Sequence, residues 1–141
     1  MDQLEQIAVT NCEIFAGMYE QDPYPLAHYQ EKLNDLQPKI YIAKVDGRIV
    51  GDSISFTRDK SLYIWIMGVL EKHRGKGIAT KLFEHNEQFA REKKYESVSV
   101  KVYNVSKEML KMLLTRGYQI IDVEHSKKDS KFNAVHLELR F

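Results

Sequence analysis

The chain's clearest chemistry lies in a basic, glycine-rich turn, Glu71-Lys-His-Arg-Gly-Lys-Gly77, between an apolar run from Leu62 to Leu70 and an amphipathic segment that starts at Ile78. A strand that feeds a glycine turn opening a helix is suited to phosphate. The first N–H groups of a helix have no partner inside it, and the aligned peptide dipoles leave partial positive charge there. Gly75 and Gly77 carry no Cβ, so backbone and phosphate can approach closely. The pattern GxxxxGK[ST] is absent, so a Walker-type nucleotide loop is not supported. Asp52 is a candidate general base: it shares strand parity with Val50, Ile54 and Phe56, and burial there would raise its pKa. The competing reading puts it where the sheet meets solvent or beside a lysine. His28, His73, His85, His125 and His136 are scattered without ligand spacing, so no metal site is expected. Cys12 falls in an apolar-periodic segment and reads as a small core residue.

These groups must be positioned by a single domain, expected over residues 1–141. Lys+Arg 21 against Asp+Glu 20 gives a formal charge of +1, so any basic site is local and no general attraction to nucleic acid or membrane follows. One cysteine excludes an internal disulfide. No apolar run reaches membrane-spanning length and no signal-peptide pattern opens the chain, so a cytoplasmic location is expected. Asp2 with Glu5 resembles a capping box, and Leu4, Ile7, Ala8, Ile14, Phe15 and Met18 recur at helical spacing. After Gln21-Asp-Pro-Tyr-Pro25, Leu26, Tyr29, Leu33 and Leu36 mark a second helix ending before Pro38. Asp46-Gly47 joins two strand-like runs, 40–45 and 48–57, as a hairpin.

The central strand is apolar at both parities, with Tyr63, Trp65 and Met67 on one set and Leu62, Ile64 and Ile66 on the other, so both faces should be covered. Gly68 marks a bulge, a close backbone approach, or room for a bulky neighbour. The helix after the turn directs Ile78, Leu82, Phe89 and Ala90 inward. A strand over 97–103 follows, reached through a helix and so parallel to the central strand. Asn104 or Ser106 can cap a helix carrying Met109, Leu110, Met112, Leu113 and Leu114 that stops at Gly117, and two strands close the chain.

Arg74-Gly-Lys-Gly77-Ile-Ala79 reads as Arg-x-x-Gly-x-Ala, with Val69 at the end of the preceding strand. This resembles motif A of the GNAT superfamily of acetyl-CoA-dependent N-acetyltransferases. The order of elements resembles the family's over nearly the whole chain, and Gly117-Tyr118 is similar to the Gly-Phe that closes motif B. The resemblance implies an α+β fold, with a mixed, mostly antiparallel central sheet, helices on both faces, and a bulge that splays the central strand from the next. It implies acetyl-CoA as co-substrate, its pyrophosphate on the turn and helix start at Arg74, Gly75, Lys76, Gly77, Ile78, Ala79 and Thr80. Its pantetheine arm would lie along Met67, Gly68 and Val69, with Asn104 and Ser106 nearby, and the Val69 backbone N–H would serve as oxyanion donor. Tyr19, Tyr24 and Tyr29 would wall the acceptor site.

Three departures from the family pattern are visible. No strand precedes the first helix; Ser106 stands where the closing helix usually begins with asparagine; and Leu113 falls where many members carry the tyrosine that protonates the departing thiolate. Tyr103, at the end of the strand flanking the cleft, could replace that tyrosine or be a structural aromatic. The function implied is acetyl transfer to a primary amine of a small molecule or protein by direct attack in a ternary complex. Leu113 and the unassigned base suggest a non-catalytic acyl-CoA binding or sensing domain as the alternative. An RNA surface made of Lys72, Arg74, Lys76 and Lys81 is weaker, since the overall charge is balanced and no single-strand stacking motif is present. The partners expected are therefore acetyl-CoA and an amine, without nucleic acid or membrane, in a monomer or homodimer.

Overall fold

A computed structural model describes residues 2–16, 18 and 23–141. Two helices lead the chain. In α1 (Gln3–Ile14) the Asp2 carboxylate caps the helix by accepting from the Glu5 N–H at 2.9 Å, the first half of the expected capping box. Helix α2 (Leu26–Leu33) follows Pro25, whose fixed φ suits a helix entry. Strands β1 (Lys39–Val45) and β2 (Arg48–Arg58) form the hairpin that Asp46-Gly47 predicts, with φ of 51° and 78° at the two turn residues. Then come β3 (Ser61–Val69), α3 (Ile78–Glu92), β4 (Ser97–Tyr103), α4 (Lys107–Thr115), β5 (Gln119–Glu124) and β6 (Ala134–Arg140).

The strands make one six-stranded sheet in the order β1-β2-β3-β4-β6-β5. Only β3 and β4 run parallel, as their helical crossover requires. Helices α3 and α4 cover one face, where Leu62, Ile64, Met67 and Val69 meet Leu82, Phe83, Ala90 and Leu113. Helices α1 and α2 cover the other, where Ile7, Ile14, Phe15 and Tyr29 meet Ile54, Ile66 and Trp65. Among the described residues no strand precedes α1 and β1 is an edge. None of the described helices is long and apolar enough to cross a membrane.

The parity expected for β3 breaks at its middle. Ile54 pairs with Ile66 but Ser55 pairs with Ile64, so Trp65 is an extra residue opposite β2. Trp65 and Ile66 therefore share the α1 face, and Met67 moves to the α3 face with Leu62 and Ile64. The bulge lies at Trp65. Gly68 serves a close approach: a Cβ there would stand 2.5 Å from Ile14 Cγ2 and 2.9 Å from Phe15 Cζ, so the glycine lets the end of α1 rest on β3.

Three other expectations change. Cys12 is exposed, one position round α1 from the buried Asn11. Leu113 is fully buried in the core, packed with residues of α3, β4 and β6, so it is a core residue. Helix α3 buries Phe83, Asn86 and Glu87 as well as apolar positions. Asn86 joins the helix to β2: its Nδ2 donates to Ser53 Oγ at 2.9 Å and its Oδ1 accepts from Ser55 Oγ at 2.6 Å. Glu87 accepts from the Arg116 guanidinium and, at 2.9 Å, from Tyr118 Oη, tying α3 to the end of α4.

Candidate active site

Strands β3 and β4 separate after a short run. They pair only from Ser61–Ile64 to Ser97–Val100, and β4 continues to Tyr103 against β6. Beyond Ile64 the two parallel strands part, leaving a gap at their carboxyl ends, where open α/β sheets commonly take their ligands. The Trp65 bulge stands where the parting begins.

The backbone of β3 has free polar groups along this gap. Leu70 N–H donates to Val50 C=O at 2.8 Å, which makes Val69 opposite Gly51 and Met67 opposite Ser53 the non-hydrogen-bonded pairs of the ladder. Their N–H and C=O groups therefore point away from β2, toward the gap. The Val69 carbonyl is taken by Arg74 Nε at 2.9 Å, a contact that folds the turn back against the strand end. The Val69 N–H, on the preceding peptide, points into the same gap by the ladder alternation.

At the mouth of the gap, Glu71–His73 form a short 3-10 turn, Arg74 is extended, and Gly75 and Gly77 take φ of +76° and +84°. Open space surrounds the position a Cβ would occupy at either glycine. Gly77 is the N-cap of α3, and no side chain caps the helix. The helical ladder begins with Lys81 N–H donating to Gly77 C=O at 3.1 Å, which leaves the N–H groups of Ile78, Ala79 and Thr80 ahead of it. Free N–H groups at an uncapped helix start beside two open glycines can receive an anion. On the far side, Ser106 is the N-cap of α4 without a capping side-chain bond, and the Asn104 amide donates to Ser130 C=O at 3.3 Å, toward the segment that leads into β6.

The α1 face of the sheet carries a second feature, a cavity of about 720 Å³ walled by α2, the splayed parts of β3 and β4, and the connection from β5 to β6. Tyr24 and Tyr29 line it, as expected for acceptor walls, whereas Tyr19 lies outside the described residues. Tyr24 stacks on His28 with ring centroids 4.0 Å apart, and Tyr29 meets Trp65 edge-on at 5.5 Å. Tyr103 also lines the cavity, at the carboxyl end of β4, with Lys101 Nζ 5.7 Å from its ring centroid.

Asp52 lies behind this wall, opposite Gly68 on β2 and fully buried. Its Oδ1 accepts from Asn11 Nδ2 at 3.2 Å, and the same nitrogen donates to Tyr29 Oη at 3.1 Å. Asp52 Oδ2 is buried without a hydrogen-bond partner among the described residues. Burial pushes the Asp52 carboxyl up to about 7, with the Asn11 hydrogen bond opposing the shift. Burial also raises the Tyr29 phenol to about 12, so it stays a neutral hydrogen-bonding group.

Sequence reasoning missed Asn11, although a signal was present: it is the polar member of the stripe Ile7, Asn11, Ile14. It also missed His28, Arg58, Lys101 and the 124–128 segment as cavity walls. Their positions carry no periodic signal. Among the described residues no cluster of three His, Cys, Asp or Glu could hold a metal ion.

A mixed sheet splayed between its two parallel strands, with a glycine turn opening a helix at the mouth of the splay, is the architecture of GNAT-type acyltransferases. The sequence profile of the acetyltransferase (GNAT) family matches residues 2–118, and the chain belongs to that family. No curated protein sequence matches it significantly. Among solved structures, Ard1 from Thermoplasma volcanium superposes with a TM-score of 0.83 at 17% identity, over 99% of this chain and 93% of that one. The ribosomal-protein-S18-alanine N-acetyltransferase from Escherichia coli gives 0.79 at 10% identity, over 99% and 90%. A GNAT family acetyltransferase from Elizabethkingia anophelis with acetyl-CoA bound gives 0.69 at 18% identity, over 81% and 82%.

Proposed function

We propose that this protein transfers the acetyl group of acetyl-CoA to a primary amine by direct attack in a ternary complex. The observation that carries this reading is the gap between β3 and β4, whose β3 edge offers unpaired backbone groups at Met67 and Val69 and runs into the uncapped start of α3. A pyrophosphate on Gly75, Gly77 and the first α3 N–H groups would lay the pantetheine arm along that edge, with Arg74 and Lys76 adding positive charge. The thioester carbonyl would then reach the Val69 N–H. The amine nitrogen would enter from the aromatic cavity, attack the carbonyl carbon and form a tetrahedral intermediate. Its collapse breaks the C–S bond and releases the thiolate.

Two protons must move. The attacking nitrogen loses one, and a carboxylate with a pKa near 7 suits that task at neutral pH. Asp52, whose carboxyl burial raises to about 7, stands on the cavity's face of the sheet with an oxygen that has no partner among the described residues. It lies behind Tyr29 and Asn11, so a proton from the amine reaches it only when those two side chains part. The thiolate gains the other. Leu113 is sealed in the core and supplies no acid, so Tyr103, at the cavity edge of β4, is the candidate donor. A thiol of pKa near 8.5 is a fair leaving group at pH 7, so the acid contributes only at the low end of the usual range, about tenfold. Tyr103→Phe is expected to lower kcat about tenfold with a smaller change in KM. An unaltered kcat would give the leaving-group proton to solvent.

The general test is a screen of primary amines with acetyl-CoA, reading released free thiol. Turnover of at least one amine, together with a rise in melting temperature at micromolar acetyl-CoA, supports the proposal. Acetyl-CoA binding with every amine silent would favour the non-catalytic acyl-CoA sensing domain. Salt-resistant RNA binding with no response to acetyl-CoA would return the basic turn to nucleic acid.

A further inference from the structure

The charges around the aromatic cavity are unevenly distributed. Among the described residues five cations line it, Lys32, Arg58, Lys101, Lys127 and Lys128, against one carboxylate, Glu124. Glu124 Oε1 is already engaged by His136 Nε2 at 2.6 Å. The whole chain is nearly neutral, with 21 basic and 20 acidic residues, so the described lining of this cavity is more basic than the chain as a whole. None of the five cations makes an ion pair with a described carboxylate. Three of them lie over aromatic rings instead: Lys32 5.8 Å from the Phe56 centroid, Arg58 4.7 Å from Tyr63 and Lys101 5.7 Å from Tyr103. Aromatic faces hold such cations in place without neutralising them, leaving their charge available to an incoming anion.

We infer that the acceptor is a small amine that carries an anionic group, a carboxylate or phosphate, on a flat apolar body. This inference rests on the acetyltransferase reading and names the substrate class of that same site. The flat body matches the walls of Tyr24, His28, Tyr29 and Trp65, and a cavity of about 720 Å³ is the size that encloses a whole small ligand. The cations have two effects. A plain ammonium ion is repelled from the cavity, whereas an acceptor with an anionic end is drawn in by that end, to Arg58, Lys101 or Lys32. Once it is bound, the surrounding positive charge disfavours the ammonium form, which helps the nitrogen reach the neutral state that attack requires.

The test compares two acceptors of equal shape, 4-(2-aminoethyl)benzoate and 4-(2-aminoethyl)benzamide, at low and high ionic strength. The expected result is a kcat/KM at least tenfold higher for the benzoate, falling toward equality in high salt. In the double variant Arg58→Gln, Lys101→Gln the benzoate-to-benzamide ratio should fall toward one, with the acetyl-CoA-induced rise in melting temperature reporting that the variant is folded. Equal rates, or a preference for the benzamide, would overturn the anionic acceptor while leaving acetyl transfer intact. A peptide with an acidic second residue outrunning the benzoate would reassign the cations to a protein substrate and overturn the small-molecule class. Silence toward both amines and the peptide while another amine in the general screen turns over would overturn the anionic flat acceptor. Silence of every amine in that screen, with acetyl-CoA still bound, would overturn the acetyltransferase reading itself.

Discussion

Gly77→Glu is expected to weaken acetyl-CoA binding at least tenfold while the sheet and its helices remain folded. Residue 77 is the N-cap of α3, and a side chain there would enter open space directly before the free N–H groups of Ile78, Ala79 and Thr80. A carboxylate in that space would occupy the anion's place and be attracted to the helix terminus itself. The φ of +84° means that any side chain also strains the turn by about 1 kcal/mol. Gly77→Gln carries the same strain with the same shape, so the difference between the two variants isolates charge. Calorimetry should give wild type the tightest binding, Gln an intermediate value and Glu the weakest. Binding by a folded Gly77→Glu variant as tight as wild type would remove the pyrophosphate from this turn, whereas equal loss in Glu and Gln would assign the effect to bulk and not to charge.

The turn was legible in the sequence because its requirement is local. Glycines at fixed spacing between an apolar run and an amphipathic one leave few alternatives, and the hairpin at Asp46-Gly47 is legible for the same reason. The parting of β3 from β4 was not legible in detail. Trp65, Ile66 and Met67 are all apolar, and β3 is covered on both faces, so an inserted residue produces no break in the pattern. The resemblance placed a bulge near Gly68; the structure puts it three residues earlier, at Trp65, while Gly68 sits where the end of α1 meets the strand. Leu113 stood out in the sequence for departing from a family pattern, yet its position in the core was already implied by the apolar positions around it in α4. The cationic cavity assembles side chains from α2, β2, β4 and the 124–128 segment, and exposed lysines at unrelated positions leave no mark that periodicity can detect.

Asp52 shows how a group can be legible in position and illegible in environment. Its parity with Val50, Ile54 and Phe56 placed it on an apolar face, but only the packing of Asn11 and Tyr29 over it decides that no lysine or solvent reaches it. The consequence is a pH-dependent cost. The unfolded carboxyl titrates near 3.8 and the folded one at about 7, so between those values the folded protein holds a proton that the unfolded chain has lost. Stability from this group is complete below about pH 4 and is lost as pH rises through about 7. Above that range, keeping the buried carboxylate ionised costs the fold on the order of 4 kcal/mol. Asp52→Asn removes the charge and keeps the shape, at a cost of about 1–3 kcal/mol if its amide N–H groups stay unpaired. The variant should therefore melt several degrees higher than wild type at pH 8, with the advantage shrinking toward pH 5. Turnover should move the opposite way, falling at least a hundredfold in kcat/KM with loss of the acidic limb near pH 7, because the base is gone. A stabilised Asp52→Asn variant that acetylates amines at the wild-type rate would show that the buried carboxylate has no part in the reaction, and the proton would then have to leave the amine through solvent.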